Sequence, residues 1–213
     1  MSINLHLGDC LEAMRDMPDN SYELAIVDPP YGIGFGNYNR TPADKAGKRH
    51  KQKDWDEAIP TQEYFNQLRR VSKNQIVWGG NYFPPLWDNG CKGFIFWYKG
   101  NPVPNFADGE LAWSSFSKVA KQFDYRYYGG LEGNTSASVK IHPTQKPIKL
   151  YEWLLDNYAK EGDLILDTHL GSGSIAIACH NRGYSLDAYE IDEEYYNAAT
   201  ERLRVHQSQL TIF

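Results

Sequence analysis

Cysteine is scarce in this sequence. Three occur in 213 residues, Cys10, Cys91 and Cys179, an odd number lying far apart with no C-x-x-C pair. That pattern excludes a disulfide framework and a thiolate zinc site, predicts no bound metal, and points to a reducing, cytoplasmic setting. Long apolar runs are missing too. No stretch approaches the roughly 18–20 residues of a membrane span, and "MSINLHLGDC" has no signal-peptide pattern, so no membrane partner is expected. Internal repeats and low-complexity tracts are likewise absent. With 41% hydrophobic and 23% charged residues, the composition suits one domain over residues 1–213 with a substantial core.

Positive charge is in deficit overall, 22 Lys and Arg against 27 Asp and Glu, a net charge of −5. On average that disfavours a polyanionic partner. The average conceals a cluster: "RTPADKAGKRHKQK" holds Arg40, Lys45, Lys48, Arg49, Lys51 and Lys53 against the single acid Asp44. Such a run reads either as a solvated loop or as an arm that orders when nucleic acid neutralises it. Its place, just after an unusual strand end, favours the arm.

Apolar spacing lays out the elements. "YELAIV" (22–27), "QIVWGG" (75–80), "GFIFWYKG" (93–100), "GELAWSSF" and "QFDYRYYG" read as strands. Helices are predicted after Pro60, where Tyr64, Phe65, Leu68 and Val71 recur, and after Pro147, through Leu150, Leu154 and Tyr158. "DLILDTH", a "GSGS" turn and "IAIACHNR" closed by Gly183 give strand, turn and helix. "YSLDAYEID" is another strand, and a final helix follows from about Glu193 to His206. "GGLEGNTSASV" is Gly- and Ser-rich, a mobile segment around 129–141. Strands alternating with helices imply an α/β class: a Rossmann-like, doubly wound, mostly parallel sheet with helices on both faces.

A complete G-x-G-x-x-G is also lacking. The turn reads Gly171-Ser172-Gly173, and Ala176 stands where the third glycine would be, which argues against a dinucleotide. Asp167 precedes the turn and would repel a pyrophosphate, yet it suits an ammonium group. Glu190 stands at the end of the next strand, placed to accept both hydroxyls of a ribose. A ligand with ribose at one end and an amino acid's ammonium at the other is S-adenosylmethionine.

The strand at 22–27 runs into Asp28-Pro29-Pro30-Tyr31. An exocyclic nucleobase amine is a poor nucleophile because its lone pair is delocalised into the ring. Methylating it needs acceptors aimed at its N–H bonds. Asp28 supplies one and a neighbouring carbonyl another, while the prolines stiffen the backbone and offer no competing N–H. Tyr31 presents a flat face to a base. The acid then acts through hydrogen bonding and charge.

With those motifs in hand the chain resembles the S-adenosylmethionine-dependent DNA amino-methyltransferases. Its order, D-P-P-Y first and the Gly turn late, is similar to their permuted beta class, especially small phage-type members. "LGDCLEAMRDMPDNSYELAIVDPPYG", "GGNYF", "GNPVPNFADGELAW", "HPTQKP" and "DTHLGSGS" carry the likeness over nearly the whole chain. The resemblance implies a class I methyltransferase fold. It assigns Asp28, Pro29, Pro30 and Tyr31 to catalysis, and Asp167, Gly171, Ser172, Gly173, Ser174, Glu190 and Ile191 to the cofactor. Asp9 and Cys10 would lie by the cofactor's adenine. Thr144 and Lys146 would close over its methionine end, with Lys146 on the carboxylate. Many relatives read Asp-Pro-Phe before the Gly turn; here it is Asp167-Thr168-His169, leaving His169 as the flat ring. His142 reads as a capping or surface residue.

Within that family D-P-P-Y goes more often with N6 of adenine and S-P-P-Y with N4 of cytosine. C5-cytosine chemistry is excluded, because it needs a Cys nucleophile that in such relatives follows Pro. The expectation is therefore a restriction-modification type enzyme acting on double-stranded DNA with the target base flipped out. N4-cytosine methylation and a catalytically silent nucleic-acid-binding module remain the alternatives. Recognition falls to an insert around 37–59 and to the segment near 114–140, with Arg126 and Lys140 reaching base edges. So small a reader implies a short site or a homodimer sharing DNA contacts. The tail Gln209, Leu210, Thr211, Ile212 and Phe213 either folds back on the body or docks, like similar peptides, on a sliding clamp.

Overall fold

The computed structural model describes residues 1–34, 56–88, 90–101, 107–128, 131–132, 135–136 and 141–209. The basic run from Arg40 to Lys53, Lys140 and the tail from Leu210 to Phe213 lie outside the described residues. Eight strands form the main sheet in the order β1 (Ile3–Leu7), β11 (Ser185–Glu190), β10 (Leu164–Asp167), β2 (Tyr22–Val27), β3 (Ser72–Trp78), β5 (Gly109–Ser114), β4 (Ile95–Tyr98), β6 (Lys121–Asp124). From β1 to β3 every neighbouring pair is parallel. β5 runs against both of its neighbours, and β4 and β6 are parallel to each other. The mostly parallel sheet expected from the alternation of elements is present.

Alternating side chains on the buried strands build two cores. Leu24, Ile26, Ile76, Trp78 and Ile165 point to one face and pack against α3 (Ile148–Tyr158), α4 (Ser174–Arg182) and α5 (Glu193–Gln209). Ala25, Val27, Val77 and Leu166 point to the other, against Met14 of α1 (Cys10–Asp16) and Tyr64, Phe65, Leu68 and Val71 of α2 (Gln62–Val71). Helices therefore cover both faces. Among the described residues no helix is long and apolar enough to cross a membrane.

Three elements depart from the sequence reading. "QFDYRYYG" is not one strand. It pairs with β4 as β6 and then breaks at Tyr125–Arg126, where the Tyr125 carbonyl accepts the Trp97 indole N–H at 2.9 Å. The chain resumes as β7 (Tyr127–Tyr128) in a separate antiparallel sheet with β8 (Leu131–Glu132) and β9 (Thr135–Ser136). Arg126 sits exposed at that break. β1 and α1 form ahead of the first predicted strand.

Candidate active site

In a doubly wound sheet, ligands sit beyond the carboxyl ends of the strands, where successive connections leave in opposite directions. Here that point lies between β10 and β2: β10 leads to β11 on one side, and β2 leads to β3 on the other. The tetrapeptide 28–31 leaves β2 and the Gly turn leaves β10, so the two motifs flank one crevice. β5 runs backwards, which brings its opening residues, Gly109 and Glu110, to the same edge. The Tyr64 hydroxyl and Thr168 Oγ1, 2.6 Å apart, join α2 to the end of β10 there.

Asp28 is held from two sides. Its Oδ1 accepts the Tyr31 hydroxyl at 2.7 Å, and its Oδ2 accepts the ammonium of Lys146. Lys146 Nζ also lies 3.2 Å from Tyr31 Oη and 3.2 Å from Glu110 Oε2, while Lys99 pairs with Glu110 Oε1. Lys146 is 3% exposed. Burial, with Glu110 adding, raises the Asp28 pKa despite Lys146. Burial works against the ammonium of Lys146 as well, but Asp28 and Glu110 outweigh it and hold its pKa above the usual lysine value. For Glu110 burial is again the largest single influence, and Lys146 and Lys99 together overcome it, bringing the carboxyl down to about 2.

The backbone of the tetrapeptide is pinned by Asp56, which is 2% exposed. One carboxylate oxygen accepts the N–H groups of Tyr31 at 2.7 Å and Gly32 at 2.9 Å, and the Asp56 carbonyl accepts Gly34 N–H. Pro29 is buried. The Tyr31 ring stacks on Tyr82, with centroids 5.0 Å apart and planes 15° apart, and meets the edge of Phe83. Tyr31 is thus the inner member of a pair whose outer ring, Tyr82, is 40% exposed.

Across the crevice, Gly171 and Gly173 both have left-handed φ, +51° and +71°. A Cβ on Gly173 would come 3.1 Å from that of Ala199, so α4 and α5 meet at this glycine. Glu190 accepts Gly171 N–H at 2.8 Å on one oxygen and Asp192 N–H at 2.9 Å on the other. Burial raises its pKa against those two bonds. Asp167 accepts the His169 N–H at 3.0 Å. Burial, helped by Asp28 and Glu190, lifts its carboxyl to about 8. Burial drops the His169 imidazole to about 4, so the ring is neutral, with its Nδ1 2.8 Å from Thr168 Oγ1 and its ring against the edge of Tyr64. Ser172 and Ser174 hydroxyls lie 3.0 Å apart, and Arg202 donates to Ser174 Oγ and to the Ser172 carbonyl.

Asp9 and Cys10 open α1 beside this turn. The Asp9 carboxylate caps the helix, accepting Leu11 N–H at 2.7 Å and Glu12 N–H at 3.2 Å. Burial, with Asp9 and Asp167 adding, lifts the Cys10 thiol to about 12, which makes it an inert neighbour. Leu7, in register with Glu190 on the neighbouring strand, and Ile191, next in the chain, are apolar and 48% and 68% exposed.

The "HPTQKP" stretch touches both motifs. His142 lies over Gly171, its ring 3.7 Å from where a Cβ would stand, edge-on to Tyr195. Thr144 Oγ1 is 3.0 Å from His142 Nδ1. His142 is therefore a contact of the Gly turn, beyond the capping or surface role expected of it. Lys146 also departs from expectation. The structure commits its ammonium to Asp28 and Glu110, on the tetrapeptide side. The residues missed by the sequence reading are Asp56, Glu110, Lys99 and Tyr82.

The likenesses to known proteins run along the same lines. The family model N6_N4_Mtase, described as DNA methylase, matches residues 77–201. Type II methyltransferase M2.MboI of Moraxella bovis is 28% identical over 250 positions, covering 95% of this chain and 90% of that protein. Type II methyltransferase M.HpaI of Haemophilus parainfluenzae is 26% identical over 244 positions, covering 95% and 74%. Among solved structures, the M1.HpyAVI–SAM complex superposes with a TM-score of 0.60 at 22% identity, covering 94% of this chain and 99% of the other. The PvuII DNA methyltransferase, cytosine-N4-specific, gives 0.61 at 13%, covering 99% and 93%. These two share the fold.

Proposed function

This chain belongs to the DNA methylase family whose model it matches, and from that premise we propose that it methylates N6 of an adenine flipped out of a short double-stranded DNA site, using S-adenosylmethionine. The observation that carries the reading is the meeting of Asp28–Tyr31 and the Gly turn, with Glu190, at one crevice.

The residues present fit that cofactor. Glu190 spends one contact on each oxygen, and a carboxylate has about four acceptor sites, so two ribose hydroxyls can still be met. Asp167 suits the ammonium, the Gly171–Gly173 backbone allows close approach, and Ile191 with Leu7 offers apolar cover to a flat base. When bound, S-adenosylmethionine supplies an electrophilic methyl whose bond to sulfur breaks, leaving a neutral thioether. Asp28 accepts an N–H of the target amine, localises its lone pair for the new N–C bond, and takes the proton that the amine then sheds. Tyr31 and Tyr82 hold the base plane.

Adenine is chosen over cytosine on the D-P-P-Y tetrapeptide. Phosphate contacts fall to the basic arm Arg40–Lys53, in the cytoplasm, as the cluster of six cations suggests. The test is to incubate the purified chain with DNA and labelled cofactor and to analyse the nucleosides by mass spectrometry. N6-methyladenine supports the proposal. N4-methylcytosine replaces it with the other amine of the family, and no methylated base defeats it.

A further inference from the structure

Lysine rarely lies as deep as Lys146 unless its charge is met, because an unpaired ammonium taken out of water costs several kcal/mol. Here four charges alternate along a line: Asp28 after β2, Lys146 before α3, Glu110 on β5 and Lys99 after β4. The Lys146 ammonium has three N–H donors and three oxygen neighbours, on Asp28, Tyr31 and Glu110. Its ring contacts, 5.4 Å to the Trp78 centroid and 5.7 Å to that of Tyr31, leave it little room to move.

We infer that Lys146 is a positioning residue for the methyl transfer, its ammonium, backed by Glu110 and Lys99, fixing the Asp28 carboxylate in place and in its charged form. The inference rests on the amine-methylation reading above. A base role for Lys146 is excluded: flanked by two carboxylates it stays protonated and has no lone pair to take a proton from the amine. Its effect passes through Asp28. A neutral carboxyl there would donate a hydrogen bond where the amine needs an acceptor. The groups that face Asp28 are Tyr31 from its own turn, whose hydroxyl hydrogen bond favours the carboxylate, the neutral phenols of Tyr64 on α2 and Tyr151 on α3, and two further carboxyls, Glu110 on β5 and Asp167 on β10, which with burial favour the neutral form. Lys146 supplies the opposing positive charge. Tyr31 and Lys146 together use one site on each Asp28 oxygen, which leaves about two of four for the base.

The two middle members of the chain of charges predict opposite shifts. Single-turnover methyl transfer would be measured from pH 5 to 9, at saturating DNA and cofactor, in the full-length wild type, Lys146→Met and Glu110→Gln. Removing the ammonium leaves only the Tyr31 hydrogen bond against burial, so the acid limb of K146M moves up by about one pH unit or more. Removing Glu110 frees Asp28 of a like charge and leaves Lys146 and Lys99 in place, so the limb of E110Q moves down. Opposite shifts support the proposal; an unmoved limb in K146M, or shifts of the same sign, overturn it. A tenfold rise in cofactor KM in K146M, with kcat and limb unchanged, also overturns it and returns the lysine to a cofactor carboxylate. Circular dichroism checks the folding of each variant; if K146M does not fold, E110Q decides alone, and a limb that stays put overturns the proposal. A wild type without methyl transfer strikes at the proposed function instead.

Discussion

Gly79 and Tyr31 stand so close that a Cβ on the glycine would lie 2.2 Å from Tyr31 Cε1. The glycine also has φ +68°, a conformation that alanine adopts at a cost of about 1–2 kcal/mol. Tyr31 has little freedom to retreat, since Tyr82 stacks on it and its hydroxyl is tied to Asp28 at 2.7 Å. Gly79→Ala is expected to push the ring off that hydroxyl contact. Misplacement of this kind can cost about 100-fold in rate. Methyl transfer should therefore fall by about two orders of magnitude while the melting temperature drops by only a few degrees; a variant with normal turnover would show that the ring's position does not matter.

Asp28→Ala is expected to cut methyl transfer by about 1000-fold, the scale of losing a preorganised group at a developing charge. The fold should survive, because Lys146 keeps Glu110 as a counter-ion at 3.2 Å. Cofactor affinity, read by calorimetry, should stay within about threefold, since the hydrogen bonds of Asp28 go to Tyr31 and Lys146 and not to the Gly turn. A tenfold loss of affinity would relocate Asp28 to the cofactor.

For Glu190→Gln the expectation is reversed. An anchor that acts alike on ground and transition states raises KM for the cofactor and leaves kcat largely intact. The variant also loses one acceptor for the N–H groups of Gly171 and Asp192, because an amide offers a single oxygen. An unmet buried N–H costs about 1–3 kcal/mol. The checks are a cofactor titration and thermal melting, and a fall in kcat with KM unchanged would contradict the ribose role.

Much of this was legible in the sequence where the signal was local. "YELAIV" is a run buried on both sides, and a buried parallel strand looks like that. Gly171 and Gly173 sit at left-handed φ, so glycine marks the turn by itself. β1 and α1 carry weaker marks: β1 is a half-exposed edge strand, and α1 has seven residues with Met14 alone fully buried. What stayed hidden were pairings set by topology. Asp28 meets Lys146 across 118 positions, and Asp56 reaches the Tyr31 backbone across 25. Glu110 comes to the site because β5 runs backwards, and no spacing in the chain announces that. "HPTQKP" could be seen as a motif, but which carboxylate its lysine would take depended on that reversal.

Asp167 gives the site a pH signature. It is 2% exposed, and burial, with Asp28 and Glu190 adding, lifts its carboxyl to about 8 against the His169 N–H. An unfolded aspartate ionises near about 3.9. Between those values the folded chain keeps a proton that the unfolded chain has lost, so this group's contribution is complete below about pH 4 and disappears as pH rises towards 8. His169, depressed to about 4 by burial, has the opposite sign: its contribution is lost as pH falls below about 6.5. From pH 6.5 to 8 the His169 contribution is constant while that of Asp167 is being lost, and the Asp167→Asn comparison separates it from the other raised carboxyls, Asp28 and Glu190. Wild-type melting temperature should decline across it, and Asp167→Asn should flatten the decline; parallel curves would mean that the carboxyl is already ionised. The same proton should report ligand binding. An ammonium placed against Asp167 favours the carboxylate, so cofactor binding at pH 7 should expel a proton. Binding enthalpies measured in phosphate and in Tris should then differ for the wild type and coincide for Asp167→Asn, and equal wild-type enthalpies in the two buffers would place the cofactor's amino group elsewhere.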